Sequence, residues 1–147
     1  MRKVLIALSF LLLVISTCFA NPPDERDWIW VARGSDKTNY YVQNVTPVME
    51  ILSHDESRLT GMVLYYNLDG TRSMVKTQFY MNLPLQDYRY RALSTSKYNT
   101  KGDVTDNVIA TTKWNVVYPD TISYHVMLAF CNLVNDKMGG YIGKKKA

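Results

Sequence analysis

Trp114-Asn115-Val116-Val117-Tyr118-Pro119-Asp120, with the run from Thr121 to Val134 behind it, is the stretch whose reading decides the fold. Pro119 and Asp120 stop the extended segment that carries Trp114. The apolar crowd that follows (Ile122, Val126, Met127, Leu128, Ala129, Phe130, Cys131, Leu133, Val134) is long enough for a helix rather than a strand. Asp120 or Thr121 can accept hydrogen bonds from the first free amides, and Asn135, Asp136 and Gly139 end the periodic run. Nearly everything upstream reads as strand, so this helix is expected to be the lid of a sheet.

Working outward, Val104 to Thr112 pairs with Asp87 to Tyr98 across the turn Asn99 to Asp103. Along the longer segment Tyr88 and Tyr90 point one way and Arg89 and Arg91 the other. Ser73 to Met81 alternates Val75, Phe79 and Met81 with Lys76, Gln78 and Tyr80, the pattern of a sheet with one buried and one partly wet face. Asp69-Gly70 supplies the positive φ of a hairpin turn joining it to Arg58 to Tyr66. His54 to Ser57 is a polar loop, Val48 to Leu52 a short strand, and Pro47 marks a bend. Trp28 to Ala32 and Thr38 to Gln43 form a first hairpin, with Trp28 and Trp30 on one face and Ile29 and Val31 on the other. The expected fold is α+β, a single antiparallel β-sheet of about six strands with one C-terminal helix packed on one face. Trp28, Trp30, Trp114, Phe130 and Cys131 are the expected structural core.

Residues 1–20 read as an export signal, with Arg2 and Lys3 ahead of an apolar run and Cys18-Phe19-Ala20 as the cleavage site. The run is about a dozen residues, short of the roughly 20 that span a bilayer, so no transmembrane span is expected after cleavage. Lipoprotein anchoring at Cys18 is the lesser reading, because Thr17 is larger than the residue usual before an acylated cysteine. Residues 21–136 are then one domain and 137–147 a flexible basic Gly/Lys tail, the product lying in the periplasm, at the cell surface or in the medium. Removing Arg2 and Lys3 from the 17 basic residues leaves 15 against 13 acidic ones, three of them Lys144, Lys145 and Lys146. A body so close to neutral argues against nucleic-acid binding.

Loss of Cys18 leaves Cys131 with no internal partner, and a small buried apolar role suits it best. The two histidines, His54 and His125, lack accompanying ligands at metal spacing, so neither a metal nor another cofactor is expected. Ser123 and His125 stand two apart on a helix and do not face each other, and the carboxylates scatter over turns; the chain does not read as an enzyme. Its 11 tyrosines say more. They sit mainly on strands whose second face goes to solvent or a partner. Tyr88, Arg89, Tyr90 and Arg91 are the expected protein-contact residues, since tyrosine and arginine carry binding energy at interfaces.

In order along the chain, Trp28, Trp30, the step Tyr40-Tyr41-Val42, the Tyr-Arg strand with Tyr90 and Arg91, then Tyr98, Gly102, Trp114, Val117, Pro119, Ser123 and Cys131 resemble the surface-adhesin protein E family of bacterial exported proteins. The resemblance implies a sheet with a packed C-terminal helix. It also implies adhesion to a host extracellular-matrix or serum protein, and an envelope structural or assembly component is the alternative. The family pattern has a second cysteine, paired with the helix cysteine, where this chain has Leu85. The helix is therefore expected to be held by packing alone, forgoing roughly 2 to 4 kcal/mol unless Leu85 and its neighbours bury apolar area in compensation.

Overall fold

A computed structural model describes residues 23–143. Residues 1–20, expected to be an export signal, and Lys144 to Lys146 lie outside the described residues. Eight strands form one antiparallel sheet: β1 (Trp28–Arg33), β2 (Asn39–Gln43), β3 (Val48–Ile51), β4 (Glu56–Tyr66), β5 (Arg72–Asn82), β6 (Asp87–Tyr98), β7 (Val104–Val108) and β8 (Asn115–Val116). The helix α1 spans Ile122–Gly143. The fold is α+β as expected, but the sheet has more than about six strands. The main path runs β1-β2-β4-β5-β6-β7, and two short strands join it from the side. β4 is long enough for β2 to pair with its second half and β3 with its first, while β8 pairs with β6 at Arg89 and Tyr90.

Register follows from the turns. Asn67 and Thr71 close the β4–β5 hairpin, and Gly70 takes φ 83°, which a Cβ would oppose. Gly102, at φ 94°, does the same between β6 and β7. From there every cross-strand pair is set, so that Val42, Val63 and Val75 stand in one row and Leu59, Phe79 and Tyr90 in another. Those rows form the face that α1 covers. Val126, Met127, Phe130 and Val134 come down onto it, and Phe130 meets Phe79 edge to face at 5.5 Å. Phe79 and Phe130 are each 1% exposed, and burying a side chain of that size contributes about 2 kcal/mol or more.

Thr121, not Asp120, caps the helix. Its Oγ1 accepts from the Tyr124 amide at 3.3 Å, while Asp120 turns the chain at φ 61°. The helical backbone also continues to Gly143, past the Asn135 to Gly139 stop, and so takes in the first part of the segment expected to be a tail. Gly139 and Gly140 weaken a helix by about 1 kcal/mol each but do not forbid it.

The expected core needs correction at the tryptophans. Phe130 is central, and Cys131 is half-buried with its Sγ 3.8 Å from Met81 Sδ. Trp30, by contrast, is 57% exposed, and Trp28 and Trp114 are half-buried. None of the three belongs to the buried cluster: Trp28 and Trp30 sit on β1, the end strand of the sheet path, and Trp114 precedes β8 outside any strand, so each ring keeps an open side. Leu85 is 75% exposed in the β5–β6 turn, so it buries nothing to compensate for the missing bridge. Cys131 is a free thiol and packing holds the helix.

Candidate functional site

β6 divides the expected contact residues. Tyr88 and Tyr90 pack against the core on the helix side, Tyr90 with its ring 6.2 Å from Phe79. Arg89 and Arg91 emerge on the open face. Their surroundings there come from register: Glu50, Arg58, Tyr80 and Arg89 are successive cross-strand partners over β3, β4, β5 and β6, and Val48, Thr60, Gln78 and Arg91 form the next row.

Each side chain on this patch is held by a neighbour. Arg91 donates from Nε and Nη2 to Gln78 Oε1 at 3.0 and 2.7 Å, and Gln78 donates in turn to Thr60 Oγ1. Its guanidinium carbon lies 4.3 Å from the centroid of the Trp114 ring, a cation–π contact. Trp114 meets the edge of Tyr80 at 6.3 Å. The Tyr80 hydroxyl donates to Glu56, and that bond to a carboxylate raises its pKa. Arg89 pairs with Asp87 at 2.8 Å, and Arg58 reaches Glu50 at 3.6 Å. Arg58, Tyr80, Asp87, Arg89 and Trp114 together line a hollow of about 230 Å³.

Two features of the patch's cations stand out. Arg91 spends its hydrogen bonds on a neutral amide, and among the described residues it makes no ion pair. Arg58 Nε is buried and has no acceptor among the described residues, which is costly for a group on a cation. Trp114 and Tyr80 supply rigid aromatic surface beside these charges.

Sequence reading missed Arg58, Gln78, Tyr80 and Trp114 as members of the patch. The signal was present for two of them, since Gln78 and Tyr80 occupy the wet positions of β5. Arg58 could be added only by counting back from the Asp69-Gly70 turn. Among the described residues no three His, Cys, Asp or Glu side chains gather as a metal-binding group, and no helix is long and apolar enough to cross a membrane. Comparison with family models, curated proteins and solved structures found no match to this chain.

Proposed function

We propose that this chain is an exported, non-enzymatic binding protein, adhesin-like in action, that holds an acidic segment of a host extracellular-matrix protein or envelope component against its open sheet face. The observation that carries the reading is the hollow lined by Arg58, Tyr80, Asp87, Arg89 and Trp114, where two guanidinium groups stand beside an aromatic pair. A carboxylate entering there would compete with Asp87 and Glu50 for the Arg89 and Arg58 guanidinium groups, against an aromatic wall. The hollow is the size of one side chain, which suits a contact point within a wider protein interface rather than a small-molecule pocket. Arg89 and Arg91 are the sequence-expected residues that remain in the contact set, and Tyr88 and Tyr90 support it from behind.

The test is surface plasmon resonance over a panel of immobilised matrix proteins, comparing the wild type with Arg89→Glu and Trp114→Ala. Charge reversal should weaken binding about tenfold or more, and binding should fall as salt rises. Equal binding by all three proteins would sink the reading, as would binding indifferent to salt.

The alternative, an envelope assembly component, is favoured by one feature. The free edge of β3 exposes Val48 (71%) and Ile51 (69%), which suits strand addition by another chain. Cross-links from β3 to a second envelope protein in intact cells would favour it over the first reading.

A further inference from the structure

On the other side of the sheet a cleft of about 670 Å³ opens between the first turns of α1 and strands β2, β4, β5 and β6. That volume lies within the range of small-molecule sites. Its lining contains no charged side chain. Tyr40, Tyr65 and Tyr90 form its polar wall, with Phe79, Ile122 and Val126 among its apolar surfaces.

The three tyrosines converge. Tyr40 and Tyr65 have ring centroids 4.9 Å apart. Burial, and after it the neighbouring Tyr40 and Tyr90 hydroxyls, push the Tyr65 phenol up to about 12. Burial is also the first cause of the raised pKa of Tyr40, followed by Asp36 and Tyr90. The Tyr40 and Tyr65 hydroxyls therefore stay protonated and able to donate. A charged ligand would lose its hydration in the cleft and find no counter-charge, which is costly. The rings of Phe79, Trp114 and the tyrosines in its lining suit a planar aromatic ring.

We propose that this cleft is a binding site for a small, uncharged, planar aromatic molecule whose carbonyl or hydroxyl oxygen takes hydrogen bonds from the tyrosine wall. The site lies on the helix side of the sheet, shares Trp114 with the hollow of the open face, and does not rest on the function proposed there.

Two probes sharing one ring system test it: 2-acetonaphthone, an uncharged ketone, and 2-naphthoate, its carboxylate counterpart, each titrated into isotope-labelled protein and followed by NMR. The ketone should shift resonances of Val63, Thr77, Ile122 and Val126, and 2-naphthoate should bind about tenfold more weakly or worse. Tyr65→Phe keeps the packing, removes one donor and should weaken the ketone about fivefold. Ser123→Trp, which fills the cleft from the helix side, should abolish binding, with circular dichroism reporting whether the variant is folded. Lys76→Glu, at an exposed position outside both sites, should leave ketone binding unchanged. The proposal is overturned if the ketone shifts no cleft resonance up to its solubility limit, if both probes bind equally, or if Tyr65→Phe binds the ketone as tightly as the wild type.

Discussion

Gly61 and Phe130 approach so closely that a Cβ on Gly61 would stand 2.7 Å from Phe130 Cζ. The helix rests on the sheet at this point because β4 presents no side chain there, and the Phe130 ring occupies the space. Gly61→Ala should therefore be destabilising. A strand gains about 0.5–1 kcal/mol from alanine over glycine, but overpacking a filled core costs about 1–3 kcal/mol, so the net loss should be about 1–2 kcal/mol in urea unfolding. The double variant with Phe130→Leu should be more stable than the two single losses added together predict. A Gly61→Ala protein as stable as the wild type would mean that the helix shifts at little cost.

The helix start offers a second check. Thr121→Ala removes the acceptor for the Tyr124 amide and should cost about 1 kcal/mol, while Thr121→Ser should keep most of the stability. Asp120→Gly should be neutral or stabilising, because Asp120 sits at φ 61° where a Cβ is a burden. A larger loss at Asp120 than at Thr121 would move the cap.

Alkaline pH should expose Tyr65. Its phenol is at about 12 in the folded chain against 10.0 for the free side chain. The unfolded form thus ionises first, and the stability this group contributes is intact below pH 10 and lost as pH rises towards 12. The loss should approach about 2 kcal/mol for this group. In ultraviolet titration Tyr65→Phe should delete the late tyrosinate step and leave the earlier ones in place.

Cys131 should be a slow thiol. Burial raises its pKa, and its Sγ packs beside Met81 on the underside of the helix. Iodoacetamide at pH 8 should label native protein about tenfold more slowly than protein in urea. Equal rates would show that the helix opens readily from the sheet.

Much of the architecture could be read from residue pattern, and the reason is local. The period-2 alternation of β4, β5 and β6 fixes which residues share a face, Asp69-Gly70 fixes where the chain reverses, and the length of the apolar run after Pro119 makes it a helix. The bounds of β6, Asp87–Tyr98, could be placed without the structure because Pro84 breaks the chain ahead of it and the turn from Asn99 to Asp103 follows it. The bounds of α1 could not, since Gly139 and Gly140 weaken a helix without stopping it.

The candidate site was only half legible. Tyr88, Arg89, Tyr90 and Arg91 are neighbours in the chain, yet strand geometry sends the tyrosines to the core and the arginines to the open face. The companions of the arginines, Arg58, Tyr80 and Trp114, come from three other segments and meet them only after pairing. Trp30 and Trp114 read as core because large aromatics usually bury, but Trp30 lies on the end strand β1 and Trp114 ahead of β8, where neither ring is enclosed on all sides. Alternation, turns and the helix are properties of consecutive residues, and the sequence alone determined them. Which face received the helix, and which charged and aromatic side chains then stood together on the other, was decided by packing between segments distant in the chain.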